Sequence, residues 1–382
     1  MNTVSVEILK DLYYMGVNDR DTNLFENMWP LPEGVAYNSY LIVDEKTALL
    51  DTVKITKVNG FIENLKKNLN GRDLDYLVIH HMEPDHSGCY LSVLDVYPNL
   101  TFVGNKKARA MFKDYLDMEP ENFIEVKEGD TLSLGKRTLT FVNTPMVHWP
   151  ESMVSYETTD KILFSQDIFG GFGALNGTIF DDEMNFDFFR DEIRRYYSNI
   201  VGKYSKQAAK ALEKVKTLEI NVICPVHGIV WRSHPNVIID EYIRLANQIN
   251  EEGVVIAYGS MYGNTEKMAD TLARYLAEEG IRNVKVFDVS KTHVSYILSE
   301  IWKYKGFILG SCTYNNSVYP NVNQLLYTLR MNKISNHVLG IFGSYGWGGG
   351  EYADNWKAQL EGFGATIVDM PILANEEPSD EE

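Results

Sequence analysis

The chain has 382 residues, enough for two domains with separate cores, and its 45% hydrophobic and 23% charged residues are those of a folded globular protein. A formal charge of −17 repels phosphate backbones and anionic headgroups, and no basic face offsets it, so neither nucleic acid nor a membrane surface is an expected partner. No apolar run reaches the roughly 18–20 residues that cross a bilayer, and Met1 to Lys10 lacks the basic start and apolar core of a signal peptide, so the expected location is the cytoplasm.

From Val4 to Val230 short β-type runs such as Tyr40–Val43, Ala48–Asp51 and Leu77–Ile79 alternate with turn signals. Helical patterns cover Val58 to Leu69 and Ala108 to Leu116, so the first 250 residues read as a mixed α and β domain. Its densest feature is His80-His-Met-Glu-Pro-Asp-His-Ser-Gly88, which follows the run ending at Ile79. Pro84 keeps this stretch out of a helix interior, which makes it a loop at a strand end, where polar side chains can converge.

Three further ligand-type residues occupy comparable places: His148, Asp167 at the end of Ile162 to Gln166, and His227 after Val222 to Val226. Alternation along the strand turns His80 away from His81, so His80 is expected to support the site or the core. The segment from Asp21 to Trp29 is expected to lid the pocket. Cys89, Cys224 and Cys312 are far apart and form no Cys-x-x-Cys pair, which excludes a thiolate-held iron–sulfur, rubredoxin or zinc-ribbon site.

Any metal must therefore use nitrogen and oxygen ligands. Four imidazoles and three carboxylates suit iron or manganese, although zinc also binds imidazole, and iron is the expected metal. Two divalent ions would bring four positive charges against three carboxylates, and a bridging hydroxide would complete a neutral buried centre.

A helical pattern from Pro235 to Ile249 leads to a boundary near residue 251. Beyond it, apolar runs at 254–258, 284–287, 306–309, 337–342 and 366–368 alternate with helical segments, the pattern of a doubly wound parallel sheet over residues 251–374. Met268, Leu272, Tyr275 and Leu276 are assigned to one apolar face of the first of these helices. Three loops at strand ends are candidate cofactor contacts. The first, Ser260, Met261, Tyr262, Gly263, Asn264 and Thr265, opens that helix and suits a phosphate. The second holds Ser311, Cys312, Thr313, Tyr314, Asn315 and Asn316, and the third Ser344, Tyr345, Gly346, Trp347 and Gly348, with Trp347 the candidate for stacking on a planar ring. Met370 to Ala374 passes into an acidic tail, 375–382, with no closing helix.

The spacing His81-x-Glu83-x-Asp85-His86, followed by His148, Asp167 and His227, resembles the metallo-β-lactamase-like fold, an αββα sandwich with two metals at one edge. The hydrolases of that fold have histidine where this chain has Glu83, and that replacement, with the flavodoxin-like second half, resembles the flavodiiron (A-type flavoprotein) family over nearly the whole chain. The resemblance implies an α/β chain with one iron on His81, Glu83 and His148, the other on Asp85, His86 and His227, Asp167 bridging them, and flavin mononucleotide (FMN) on the three loops. It further implies reduction of dioxygen to water, of nitric oxide to nitrous oxide, or of both. The implied electron donor is external, rubredoxin or reduced deazaflavin, and the implied assembly is a head-to-tail homodimer or a dimer of such dimers. Two other classes fit the residues less well. A dinuclear zinc hydrolase needs histidine in place of Glu83 and no flavin domain, and a non-catalytic flavin electron carrier or gas sensor leaves seven converging ligands without work.

Overall fold

The computed structural model describes residues 5–352, 356, 359–360, 363–368 and 371–375; most of the acidic tail lies outside these. The chain divides into two compact units, one of residues 1–196 and 206–243, the other of residues 197–205 and 244–382.

The first unit holds two sheets. One runs in the order Val6–Leu9, Leu12–Tyr14, Tyr40–Val43, Thr47–Leu50, Tyr76–Val78, Thr101–Gly104, Phe123–Glu125. Its early strands are antiparallel, whereas Thr47–Leu50, Tyr76–Val78, Thr101–Gly104 and Phe123–Glu125 are parallel. Parallel neighbours need crossovers, and helices Val58–Leu69 and Lys106–Leu116 supply two of them. The second helix starts where Asn105 Oδ1 accepts from the N–H groups of Lys107 and Ala108, an N-cap that satisfies two donors of the first turn. The first ends at Asn70, in the left-handed conformation that closes many helices.

The second sheet runs Thr131–Ser133, Thr138–Asn143, Met153–Glu157, Ile162–Gln166, Val222–Pro225. Every residue of Ile162–Gln166 and Val222–Pro225 is buried, as their near-continuous apolar runs require. The two sheets meet where the Tyr40 ring packs 5.5 Å from Phe164 and its hydroxyl donates to Pro225 O at 2.6 Å.

The second unit is a parallel sheet in the order Val284–Asp288, Glu251–Gly259, Tyr304–Tyr314, Val338–Tyr345, then an edge formed by Thr366–Ile367 and Ile372–Asn375. Numbered by chain position, this is 2-1-3-4-5, and in such sheets ligands bind beyond the carboxyl ends of the strands where the order reverses. Helix Asn264–Glu278 covers one face with Met268 and Ala269 buried and Leu272 and Leu276 packed against the same core. Tyr275, assigned to this face from the sequence, lies at its rim and is 56% exposed. The run after Met370, given no element from the sequence, forms a strand: Ile372–Asn375 pairs with Phe342–Tyr345. Pro371, which has no N–H to give a ladder, falls in the gap between the two edge segments.

Candidate di-metal centre and flavin cavity

Strand ends of the first unit bring the seven candidate ligands together. His81 and Glu83 follow Tyr76–Val78, and Asp85 and His86 sit in one helical turn, Pro84–Ser87, with Pro84 in the first position where its missing N–H costs nothing. That turn replaces the open loop expected there. Asp167 follows Ile162–Gln166 directly, Gln166 having left the extended region with a φ of 45°, and His227 follows Val222–Pro225.

The geometry separates them into two triads, His81 with Glu83 and His148, and Asp85 with His86 and His227, the ligand atoms of each lying within 4.8 Å of one another. In the first, Glu83 Oε2 is 3.2 Å from His81 Nε2 and 3.0 Å from His148 Nε2. In the second, Asp85 Oδ2 is 3.5 Å from His86 Nε2 and 3.4 Å from His227 Nε2. Asp167 lies between: its Oδ2 is 3.3 and 3.6 Å from His81 and His148 Nε2, and its Oδ1 is 3.6 Å from both His86 and His227 Nε2. One carboxylate thus presents one oxygen to each triad.

Buried polar atoms normally find partners, yet both Asp85 carboxylate oxygens, Asp167 Oδ2, both ring nitrogens of His86 and Nε2 of His227 are buried with no hydrogen-bond partner among the described residues. Apart from His86 Nδ1, which lies on the far side of its ring, these are the atoms a pair of cations would satisfy. The charges are coupled accordingly. Burial disfavours a charged His86, but Asp85 and Asp167 outweigh it and raise its pKa to about 9. Burial likewise opposes ionisation of Asp167, and His81, His86 and His148 outweigh it, holding the carboxyl well below its usual range.

His80 stands outside this cluster: its Nδ1 meets Asp51 Oδ2 at 2.7 Å and its Nε2 meets Ser155 Oγ at 2.8 Å. Phe25, in the segment read as a lid, places its ring 5.4 Å from His227 and 5.4 Å from Phe172, and Tyr37 and Tyr196 face His227 at 5.7 and 5.4 Å. Three supporting contacts carry no signal in the sequence. Glu151 Oε1 lies 2.8 Å from His81 Nδ1, the Ala36 carbonyl 2.8 Å from His227 Nδ1, and the Tyr196 hydroxyl donates to Asp167 Oδ1 at 2.7 Å. Glu151 also revises the charge balance, because it is a buried carboxylate beyond the expected three.

In the second unit, a cavity of about 570 Å³ opens between the three candidate loops, within the range of cofactor sites. Ser260, Met261, Tyr262, Asn264 and Thr265 line it from the first loop, Cys312, Thr313, Tyr314 and Asn315 from the second, and Ser344 to Trp347 from the third. The first and third loops are tied by Thr265 Oγ1 and Ser344 Oγ at 2.8 Å. Gly263, Ser311, Asn316 and Gly348 do not line it. Ser311 is buried behind it, its hydroxyl accepting from Tyr319 N at 2.9 Å. Gly263 instead sets the start of the helix with a φ of 98°, and no side chain caps that end, so the positive end of the helix dipole is open to an anion. Tyr262, Tyr314 and Trp347 form an exposed aromatic rim.

Residues 35–228 match the model of the ODP family β-lactamases and residues 256–382 that of flavodoxins. The chain is 37% identical to the nitric oxide reductase of Moorella thermoacetica, over 90% of this chain and 87% of that protein. It is 34% identical to the anaerobic nitric oxide reductase flavorubredoxin of Vibrio vulnificus, over 94% and 74%. Among solved structures, the rubredoxin oxygen:oxidoreductase of Desulfovibrio gigas superposes with a TM-score of 0.94 at 33% identity, covering 99% of this chain and 94% of that one. The chain belongs to the flavodiiron family. The flavodiiron protein of Giardia intestinalis also superposes with a TM-score of 0.94, at 28% identity over 100% of this chain and 93% of its own. As a flavodiiron protein the chain is an oxidoreductase whose cofactors are FMN and a non-haem di-iron centre. The orphaned ligand atoms around Asp167 and the loop cavity fit those two groups. Among the described residues no helix is long and apolar enough to cross a membrane.

Proposed function

We propose that this flavodiiron protein reduces dioxygen to water, nitric oxide to nitrous oxide, or both, drawing electrons through FMN from an external rubredoxin or reduced deazaflavin. The observation that carries this reading is Asp167, with one oxygen toward each of two imidazole–carboxylate triads, in the same chain as a loop cavity at the strand ends of a 2-1-3-4-5 sheet. His81, Glu83 and His148 would hold one iron, Asp85, His86 and His227 the other, and Asp167 would bridge. When bound, two ferrous ions and a two-electron-reduced flavin supply the four electrons that dioxygen needs, or the two that a pair of nitric oxide molecules needs.

The protein's own groups orient and enclose. Glu151 and the Ala36 carbonyl hold the far nitrogens of His81 and His227, which leaves each Nε2 directed at the site. Tyr196 keeps its proton and donates it in a hydrogen bond to Asp167 Oδ1, because burial and the Asp167 charge push its own pKa far up. The rings of Phe25, Phe172 and Tyr37 exclude water from the His227 side. In the second unit the helix terminus at Gly263 would take the FMN phosphate and Trp347 would cover its ring. The family resemblance further supports a cytoplasmic, head-to-tail homodimer.

Anaerobic reduction followed by addition of each gas in turn tests the reading. Consumption of dioxygen without peroxide, or of nitric oxide with formation of nitrous oxide, is expected; protein holding two zincs and inert toward both gases would refute it.

A further inference from the structure

By their direct ligands the two metal positions are matched, each having two imidazoles and one carboxylate. The groups behind those ligands differ. His81 Nδ1 meets a carboxylate, Glu151 Oε1, at 2.8 Å, and the same oxygen accepts from Met82 N at 2.9 Å. Glu151 is 1% exposed, and its Oε2 is buried without a partner among the described residues, so its charge is not spent elsewhere. On the opposite side His227 Nδ1 meets only the neutral Ala36 carbonyl. The Nδ1 atoms of His86 and His148 are buried and have no hydrogen-bond partner among the described residues.

Asp167 adds to the imbalance. Its Oδ1, facing His86 and His227, shares its charge with the Tyr196 hydroxyl, whereas its Oδ2, facing His81 and His148, has no such donor. A carboxylate behind a ligating imidazole fixes its tautomer and raises its basicity, and in a dry interior its charge acts on a nearby cation with little screening.

We propose that Glu151 is a positioning residue that makes the two metal positions unequal: acting through His81, it strengthens the position of His81, Glu83 and His148 over that of Asp85, His86 and His227. The inference rests on the di-iron reading above.

The test uses iron-57-loaded full-length protein, titrated anaerobically with a chelator and followed by iron content and Mössbauer spectroscopy. Glu151→Gln keeps an oxygen to accept from His81 and Met82 but removes the charge, so a merely structural role would leave it like the wild type. Wild-type protein is expected to release its irons in two steps. In Glu151→Gln the later step should move to about 10- to 100-fold lower chelator, with one ferrous doublet altered and the other unchanged. Release of both irons at wild-type concentrations, with both doublets unchanged, overturns the proposal. Should the variant fail to fold, the wild-type spectrum decides: two ferrous doublets of equal area support inequivalence, and one symmetric doublet overturns it. Wild-type protein that takes up no iron would instead remove the di-iron reading, a result seen before any variant is made.

Discussion

Tyr196 donates its hydroxyl hydrogen to Asp167 Oδ1 across 2.7 Å, in a pair that is wholly buried. This hydrogen bond steadies the carboxylate oxygen facing His86 and His227. Tyr196→Phe keeps the ring against Phe172 and His227 and removes only the donor. The expected result is about a 10-fold loss in iron affinity or gas turnover, checked by iron content after dialysis and by stopped-flow gas consumption. Unchanged values would mean that Asp167 is held by its other neighbours alone.

Glu83 Oε2 touches both imidazoles of its triad, so Glu83→Ala or His148→Ala should abolish gas reduction. The flavin loops belong to the other unit. FMN content and anaerobic flavin reduction should therefore stay at the wild-type level, as read from the visible spectrum. Parallel loss of flavin would contradict two separable sites.

Trp347 is 66% exposed at the rim of the loop cavity, a position with little to gain unless a planar ligand covers it. A stacked aromatic pair contributes about 0.5–1.5 kcal/mol beyond burial. Trp347→Ala should thus weaken FMN binding by roughly 2- to 10-fold, measured by fluorescence titration of flavin-free protein, and leave the iron content alone. An unaltered dissociation constant would assign the stacking to Tyr262 or Tyr314.

Acid stability should depend on Asp19, which sits at the start of the segment carrying Phe25. Its carboxylate accepts from the N–H groups of Asp21 and Thr22 and from the Thr22 hydroxyl, with Lys54 and Lys57 at 3.6 and 3.3 Å. Burial works against its charge, but these donors and lysines more than offset it, taking the pKa from 3.8 down to about 2. Because the folded value is the lower one, the stabilisation is complete above a pH of about 4 and disappears as pH falls through about 2. Asp19→Asn should lower the denaturant midpoint near neutral pH and flatten its decline between about pH 4 and 2. The same decline as in wild-type protein would assign acid sensitivity to other carboxylates.

The convergence of the seven ligand-type residues was legible because each follows or ends an apolar strand, and strand ends on one edge of a sandwich meet. The meeting of the three loops around one cavity was legible for the same reason, small polar residues standing directly after parallel strands. Glu151 was not, since its contact with His81 spans 70 residues and nothing in His148-Trp-Pro-Glu151 distinguishes a buried acid from a solvated one. The Ala36 carbonyl carries no side-chain signal at all. Tyr196 lies in a helix whose alternation of charged and aromatic residues reads as an ordinary amphipathic face. The grouping of residues 197–205 with the second unit was equally invisible, because it rests on contacts such as Tyr197 with Trp302 at 6.0 Å, over a hundred positions apart.

The interrupted last strand has a consequence for the molecule in a crowded solution. A sheet edge with a long row of unpaired amides is a template onto which another chain can add. Here one border of the second sheet is cut into pieces of two and four residues with Pro371 between them, and the opposite border, Val284–Asp288, carries the exposed charge of Lys285. The split border and the short, charged one opposite it are both poor templates for a stray strand, which disfavours edge-to-edge aggregation of the flavin unit.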